Sequence, residues 1–320
     1  MYKVLEKECN ICYTFYKGGE VVQYLDCFKL ASADEEDSYV LSFPAKLEMS
    51  CYSGQVYPFK VFPQKGFEKI DFAPITIFYG GNGSGKSTLL NIIAQKTEAL
   101  RKSPFNYTPY FEDYLELCQA EYTFANEIPR ESRIITSDDV FDFLLDIRIV
   151  NEGVDRRREE IFEEYDALSQ HYERTGKSYL LTSLSDYENF KRHNEAKIKS
   201  KNQFTKRRLP NNLGGKSNGE SAYAYFTEYI REDALYLLDE PENSLSANLQ
   251  RKLAQFIEEA VRFYRCQFII STHSPFLLAM NEAKIYDLDA IPVCEKEWTE
   301  LENVKIYYNF FKKYEKMFET

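Results

Sequence analysis

Short apolar runs are spaced along the chain, and longer stretches with helical periodicity lie between them. "ITIF" (75–78), "ALYLLD" (234–239) and "QFIIST" (267–272) are almost wholly apolar, which is typical of buried strands in a parallel sheet. "SRIIT" (132–136) indicates a further short strand. Because strands alternate with helical stretches, the pattern predicts an α/β fold with a mainly parallel sheet.

Five stretches place apolar residues at helical spacing. They are residues 87–97, 138–150, 221–230, 246–264 and, as the start of a short helix, 274–280. Residues 155–205 are highly charged, and one apolar stripe runs through them at helical spacing. It consists of Ile161, Tyr165, Leu168 and Tyr172. The stripe covers fewer than two heptads, so we expect a helix packed on the domain surface rather than a coiled coil.

The N-terminal part, positions 1–74, alternates short apolar or aromatic runs with turn formers, which predicts antiparallel strands leading into the strand at 75–78. The runs are "YVLSF" (39–43), "KLEMSCY" (46–52), "YPFKVF" (57–62) and "FEKIDF" (67–72). This part is therefore expected to form a β-rich subdomain.

Composition narrows the class of protein. No run of about 18 apolar residues exists, so no transmembrane helix is expected, and the first residues lack a secretion-signal pattern. Seven scattered cysteines indicate a reducing, cytoplasmic environment. Cys9 and Cys12 form one C-x-x-C pair, to which Cys27 and Cys51 could add zinc ligands. The irregular spacing favours plain reduced thiols.

A glycine-rich loop connects the strand at 75–78 to the helix at 87–97. "IFYGGNGSGKSTLL" (77–90) contains the spacing G-x-x-x-x-G-K-S. Glycines let successive N–H groups form a cradle for phosphate at a helix N-terminus. Lys86 would reach the β- and γ-phosphates, and the Ser87 hydroxyl would hold Mg²⁺. A turn that binds nothing is the alternative, but the strand and helix on either side favour a nucleoside triphosphate site.

Two acidic residues end the strand at 234–239, and a histidine follows the strand at 267–272. Asp239 would bind Mg²⁺ through water, and Glu240 would reach the attacking water as general base. His273 lies where ligands collect in such sheets and could hydrogen-bond the γ-phosphate. An ordinary acidic turn and a structural histidine are the alternatives.

Four segments resemble, in order and spacing, the Walker A, signature, Walker B with D-loop, and H-loop motifs of ABC-type ATPases. They are "GGNGSGKST" (80–88), "KSNGES" (216–221), "YLLDEPENSLS" (236–246) and "FIISTHSP" (268–275). They are most similar to the soluble RecF/SMC-like branch, especially its small stand-alone AAA family ATPases. The resemblance spans roughly residues 56–318, including a similar C-terminal tail (286–318).

The resemblance implies an ABC-ATPase head and a head-to-tail homodimer that binds ATP and Mg²⁺ between its two chains. Lys86, Glu240 and His273 would be catalytic, and Ser87 and Asp239 would hold the metal. Ser217 and Gly219 would touch the γ-phosphate of the ATP on the partner chain. The nucleotide-binding residues would be Gly80, Gly81, Asn82, Gly83, Ser84, Gly85, Lys86, Ser87, Thr88, Ser217 and Gly219.

Three of the motifs depart from the family's pattern. Asn218 and Glu220 replace the glycine and glutamine common in transporter signatures, and Ser246 stands where many D-loops carry aspartate. No clear glutamine follows the strand at 132–136, where Ser137, Asp138 or Asp139 occupies the expected Q-loop position. The metal and water contact that a Q-loop glutamine makes is therefore in doubt.

The expected organisation is a single ATPase domain in five parts. These are a β-rich part (1–74), a P-loop core (75–137), a helical subdomain with a basic insertion (138–216), a core with the signature, Walker B and H-loop (217–290), and a C-terminal tail (291–320). The interval between Ser87 and Ser217, positions 88–216, is too short for long coiled-coil arms. The segment after His273, positions 274–320, is too short for a fused nuclease.

We therefore expect an ATP hydrolase acting in nucleic-acid maintenance or defence. The net charge of −11 argues against a uniformly basic surface, but residues 191–209 carry eight cations and one acid, Glu195. This basic segment would bind nucleic acid through its phosphates, although a solvated surface segment is the alternative. Two other functions stay open. One is the ATP-binding subunit of a membrane transporter, and the other is a nucleotide-gated regulator of a separate effector protein.

Overall fold

The computed structural model describes residues 14–16, 19–42, 56–123, 127–175, 187–206, 208–209 and 217–318. The chain divides into two compact units, Met1–Val140 with Ala222–Thr320, and Phe141–Ser221. The first unit contains the β-sheets, and the part of the second unit that the structure describes is helical. No helix within the described ranges has the length and apolarity needed to cross a membrane.

A six-stranded sheet forms the centre of the first unit. With strands numbered in chain order, its order is β11 (Cys294–Glu295), β10 (Lys284–Asp287), β5 (Ile75–Tyr79), β9 (Gln267–Ser271), β8 (Leu235–Asp239) and β7 (Arg133–Thr136). All neighbours are parallel except β10 and β11. Every residue of β5 and β9 is buried, as expected for strands covered on both faces. The predicted mainly parallel α/β fold is confirmed.

Ten α-helices are described. They are α1 (Ala33–Ser42), α2 (Lys86–Lys96), α3 (Phe111–Leu117), α4 (Ser137–Thr175), α5 (Tyr187–Ile198), α6 (Lys201–Lys206), α7 (Asn218–Tyr229), α8 (Ala247–Phe263), α9 (Pro275–Leu278) and α10 (Glu302–Lys313). Helix α2 packs on β8 and β9 through fully buried side chains that include Leu89, Ile92 and Ile93. Burying one such side chain stabilises the fold by about 1.5–3 kcal/mol, so this packing fixes the start of α2 against the sheet.

A smaller antiparallel sheet supplies the β-rich part of the first unit. Its order is β4 (Lys69–Asp71), β3 (Leu25–Lys29) and β6 (Gln119–Tyr122). A separate hairpin pairs β1 (Thr14–Tyr16) with β2 (Gly19–Val21). The predicted strand in "FEKIDF" is therefore present. The third strand, β6, comes from beyond position 74, outside the part of the chain in which the antiparallel strands were predicted.

Two predicted strands in this region are wrong. Residues 39–42 of "YVLSF" belong to α1, which begins after a capping box in which Ser32 N and Oγ donate to Glu35 Oε2 and Glu35 N donates to Ser32 Oγ. "YPFKVF" forms turns, because Lys60 adopts a left-handed φ of 65° that a strand does not tolerate. "KLEMSCY" lies outside the described residues, as do Cys9, Cys12 and Cys51. Cys27, the fourth candidate zinc ligand, is a free, buried thiol.

The second unit has a small core of its own. Ile161, Ala196 and Phe204 are buried, with Tyr165 and Leu168 packed against them. The apolar stripe of α4 thus packs on α5 and α6, as expected for a helix packed on a domain. The side chain of Tyr172, the last member of the predicted stripe, is not among those described.

Glu36 is a buried carboxyl in the first unit, 2% exposed. Its Oε2 accepts a hydrogen bond from Lys60 N at 2.7 Å, whereas Oε1 has no partner within the described ranges. Burial raises the pKa of Glu36 to about 7, and Asp37 adds to the shift while the Lys60 N–H opposes it. The folded protein therefore favours the neutral carboxyl.

This raised pKa predicts a pH-dependent stability. The pKa of the Glu36 carboxyl is 4.5 in the unfolded chain and about 7 in the folded protein. The neutral carboxyl therefore stabilises the fold fully at pH 4.5 and below, and this contribution to the unfolding free energy is lost as pH rises through 7. We expect the parent to lose about 2–3 kcal/mol of unfolding free energy between pH 5 and 8 relative to Glu36→Gln. Denaturant unfolding at both pH values measures the difference. Glu68→Gln, at an exposed position of the same unit, is the control, and parallel pH profiles for Glu36→Gln and the parent would contradict the prediction.

Candidate functional site

The glycine-rich loop runs from the end of β5 to the start of α2. Gly85 is the N-terminal cap of α2 with a φ of 100°, a conformation that side chains disfavour. A Cβ on Gly80 would lie 2.6 Å from Ser84 Oγ, so only glycine fits there. The first N–H groups of a helix lack intrahelical partners, and here they lie at the carboxyl edge of the central sheet.

Lys86 is 5% exposed although it carries a charge. Its Nζ donates to Gly80 O at 2.8 Å and to Gly81 O at 3.1 Å. The same Nζ lies 3.8 Å from Oε1 of Glu240, on the loop after β8. Two backbone carbonyls therefore hold the ammonium between the glycine-rich loop and the acidic strand end.

Asp239 is the last residue of β8 and accepts hydrogen bonds from two hydroxyl groups. Ser87 Oγ donates to its Oδ1 at 3.1 Å, and Ser271 Oγ, from β9, donates to the same oxygen. Burial raises the pKa of Asp239, although these two hydrogen bonds favour the charged form. The fold thus brings Ser87 and Asp239, which are 152 positions apart in the sequence, into direct contact.

Glu240 occupies a strained backbone position, with a left-handed φ of 49°. Its N–H donates to Ser271 O at 3.0 Å, which fixes the turn. Its Oε1 lies 3.5 Å from His273 Nε2, without a hydrogen bond between the two atoms. A non-glycine residue in this conformation destabilises the fold by about 1–3 kcal/mol, and such residues cluster at functional sites.

His273 is partly buried beside these groups. Its Nε2 has no hydrogen-bond partner in the part of the chain that the structure describes. Burial, followed by the Lys86 ammonium, lowers the pKa of His273, while Glu240 opposes this shift. The imidazole is therefore neutral at pH 7, with a nitrogen available to a ligand. Asn303 Nδ2, from α10, donates to His273 O at 3.1 Å.

Glu242 positions the histidine loop, a role that the motif spacing did not predict. Its Oε1 accepts hydrogen bonds from His273 N at 2.6 Å and Ser274 N at 3.2 Å. Burial raises the pKa of Glu242, while the N–H group of His273 favours the carboxylate. The acid of "DEPEN" two positions after Glu240 was the available signal, but its backbone partners lie 31 and 32 positions away.

The donor set fits a phosphate chain and Mg²⁺. The buried Ser84 Oγ has no partner among the described residues, and the loop presents helix N–H groups and Lys86. Ser87 Oγ and Asp239 Oδ1 are oxygens 3.1 Å apart. No cluster of three or more acidic, histidine or cysteine ligands occurs within the described ranges. Mg²⁺ needs none, because it commonly uses one or two protein oxygens together with phosphates and water.

The remaining predicted nucleotide-binding residues have distinct environments. Asn82 and Gly83 are exposed at the tip of the loop, and Thr88 hydrogen-bonds the Tyr57 side chain. Ser217 and Gly219 belong to the second unit, at the start of α7. There Ser217 N and Oγ donate to Glu220 Oε2 at 2.8 and 3.0 Å, which forms a capping box.

The expected Q-loop position is occupied in part by a structural aspartate. Asp139 is buried, and its Oδ1 accepts from Ser103 N and Oγ. Its Oδ2 accepts from Thr136 N and Oγ1. Both carboxylate oxygens are thus engaged at the start of α4, so of the three candidates Asp139 is the least suited to hold a metal.

Much of the basic segment is paired within the second unit. Lys199 and Arg208 both contact Glu195, at 2.8 and 3.1 Å. Lys201 lies 2.6 Å from Asp166 of α4, and Arg192 pairs with Glu164 of the same helix at 3.4 Å. Arg207 lies outside the described residues. Acidic residues of α4 therefore reduce the local positive charge that the segment's own sequence indicated.

The family of the chain follows from its sequence. A family model described as "AAA domain, putative AbiEii toxin, Type IV TA system" matches residues 119–279. The match covers half of the 320 residues, and the chain belongs to this family. The predicted similarity to AAA family ATPases is confirmed, and the chain is an ATP-binding ATPase of the P-loop class. The matched range includes Asp239, Glu240 and His273 and begins after the glycine-rich loop.

Solved structures with partial similarity include an ATP-binding cassette and an Smc head domain. The ATP-binding cassette MJ0796, in a dimeric post-hydrolysis state bound to ADP and Pi, is 16% identical with a TM-score of 0.32. That match covers 72% of this chain and 90% of the other. The Smc head domain from Pyrococcus furiosus, bound to the C-terminal domain of ScpA, is 16% identical with a TM-score of 0.35, covering 76% and 94%. No curated protein sequence matches the chain.

Proposed function

We propose that the chain hydrolyses ATP with Mg²⁺ at the site formed by the glycine-rich loop, Asp239, Glu240 and His273. The observation that supports this most strongly is the convergence of these groups at the carboxyl ends of β5, β8 and β9. Glu240 Oε1 lies 3.8 Å from Lys86 Nζ and 3.5 Å from His273 Nε2. In this proposal the cation stabilises charge on the phosphates, the carboxylate is the general base, and the imidazole is a hydrogen-bond donor.

Each side chain has a role in this proposal. The N–H groups at the start of α2 and Lys86 bind the phosphates. Ser87 and Asp239 hold Mg²⁺, which neutralises charge on the phosphate oxygens when bound. Glu240 takes a proton from the attacking water at its carboxylate, and neutral His273 donates a hydrogen bond to the γ-phosphate. Glu242 and Asn303 keep the His273 backbone in place.

Phosphate release by the purified chain tests the proposal. With ATP and Mg²⁺ we expect steady release, and with excess EDTA we expect none, because Ser87 and Asp239 would have no metal to hold. Asp239→Asn should release phosphate at a strongly reduced rate in the presence of Mg²⁺. Release that is independent of Mg²⁺, or unaffected by Asp239→Asn, would contradict the assigned site.

The proposal includes a homodimer. Ser217 and Gly219 open a 12-residue helix, and a helix N-terminus suits a phosphate anion. In a head-to-tail pair these residues would contact the ATP held by the partner chain. The capping box between Ser217 and Glu220 places a carboxylate at this N-terminus, so a partner's phosphate would have to displace Glu220.

A role on nucleic acid rests on the basic segment. Changing Lys199, Lys201, Arg207 and Arg208 to Glu should weaken DNA or RNA binding and flatten its salt dependence. The effect should be modest, because three of these cations already pair with Glu195 or Asp166. Low-salt fluorescence anisotropy measures it, and ATPase activity without nucleic acid should change little. Equal binding by parent and variant would remove the segment from the account.

A further inference from the structure

Two charged side chains, those of Lys65 and Asp289, contact the backbone of the glycine-rich loop. Lys65 Nζ donates to Ser84 O at 2.6 Å and to Leu288 O at 2.7 Å. Asp289 Oδ2 accepts from Gly81 N at 2.7 Å. Leu288 N in turn donates to Tyr79 O at 2.8 Å, where β5 ends. The segment after β10 and the turn at Pro63–Lys65 thus support the loop backbone.

Each contact acts on a peptide unit that also serves the phosphate site. Ser84 C=O and Gly85 N–H belong to one planar peptide, so a cation on the carbonyl polarises the N–H at the start of α2. Gly80 C=O and Gly81 N–H belong to another. Its N–H donates to Asp289, and its C=O accepts from Lys86 Nζ at 2.8 Å. Hydrogen bonds linked through one peptide strengthen each other.

We infer that Lys65 and Asp289 are positioning residues for nucleotide binding, which hold and polarise the two peptides that present Gly85 N–H and Lys86 to the phosphates. This inference rests on the proposed function. Lys65 contributes more than Asp289, because Lys65 is partly buried and makes two bonds, whereas Asp289 is exposed and its interaction is screened by water.

The charge of Lys65 is compatible with this role. Burial lowers its pKa and Lys86 adds to that effect, but Asp289 and Asp287 oppose both. Asp287 is itself paired with Lys296 at 2.6 Å and accepts from Asp289 N at 3.0 Å. The carboxylates on the β10 side therefore favour a protonated Lys65 beside the cationic Lys86.

Calorimetric titration with Mg-ATP and Mg-ADP, together with steady-state kinetics, tests the inference. Lys65→Met should raise the Kd of both nucleotides at least tenfold and raise KM, with kcat at saturating ATP changed less than threefold. Asp289→Ala should raise the Kd by a smaller factor. Lys65→Arg keeps a charged donor and should recover most of the affinity. Lys69→Met is the matched control, since Lys69 is an exposed lysine that contacts Asp71 on β4.

The outcomes separate this inference from the proposed function. A parent chain that binds no nucleotide overturns both. A parent that binds, with Lys65→Met binding equally well, overturns the positioning role alone. A Lys65→Met variant that loses kcat with an unchanged Kd would also overturn this role. An equal loss of nucleotide affinity in Lys69→Met would overturn it too. If Lys65→Met fails to fold, the Kd values of the other two variants test the positioning role. Asp289→Ala with the affinity of the parent would overturn this role. Lys65→Arg with no measurable affinity would overturn it as well.

Discussion

Glu240→Gln should bind ATP with nearly the affinity of the parent and lose about 100- to 10,000-fold in kcat. Glutamine keeps the size of the side chain and its contacts near His273 and Lys86, but it cannot take a proton from water. An effect on kcat without an effect on binding identifies a group that acts in the transition state. Phosphate release at saturating ATP, together with titration calorimetry, measures the two quantities.

The matched control for this variant is Glu259→Gln. Glu259 is a carboxylate on α8 that hydrogen-bonds Gln255 at the protein surface, so its replacement should leave both kcat and affinity unchanged. A Glu240→Gln protein that hydrolyses ATP at the parent's rate would show that another group is the base. Loss of ATP binding in this variant would instead show that the carboxylate is structural.

Ser217→Arg should abolish ATP-dependent dimerisation in the Glu240→Gln background. Glu240→Gln with ATP should form particles of twice the 37.6 kDa chain mass, because ATP bridges the two chains and is not consumed. A bulky cation at Ser217 would block the helix N-terminus that receives the partner's phosphate. Size-exclusion chromatography with light scattering measures the mass.

Thr227→Arg serves as the control for that experiment, because Thr227 is exposed near the other end of the same helix. It should leave the dimer intact. Glu240→Gln that stays monomeric in saturating ATP would contradict the dimer. A dimer that tolerates Ser217→Arg would place the interface elsewhere.

The sequence predicted which residues of the candidate site lie close together where local spacing identifies them. Lys86 and Ser87 follow glycines at fixed intervals, and Asp239, Glu240 and His273 follow apolar strands, so their order along the chain placed them at one sheet edge. The structure then determines how close they lie. Ser87 Oγ is 3.1 Å from Asp239, a contact that depends on the parallel register of β5, β9 and β8.

Residues that act on backbone groups could not be predicted in the same way. Lys65 contacts the carbonyl of Leu288, 223 positions away, and Asp289 contacts the N–H of Gly81, 208 positions away. A peptide group has no sequence signature, so no spacing relates these pairs. Glu242 was visible as an acid, but its two N–H partners became known only from the turn that follows β9.

The charge and the apolar pattern of a short segment also gave incomplete predictions of its structure. The basic segment looked unpaired because two of its acidic partners come from α4. Glu164 precedes Arg192 by 28 positions, and Asp166 precedes Lys201 by 35. "YVLSF" looked like a strand because its apolar residues outweighed the helix start at Ser32. In both cases the deciding residues lie outside the segment whose own pattern led to the prediction.

The nucleotide that stays bound to Glu240→Gln reports both on the general base and on the pairing of two chains. The variant is incubated with Mg-ATP, separated by size-exclusion chromatography and analysed for its bound nucleotide. We predict one intact ATP per chain in a particle of twice 37.6 kDa. ADP in the variant, or no nucleotide at all, would contradict a two-chain ATPase whose base is Glu240.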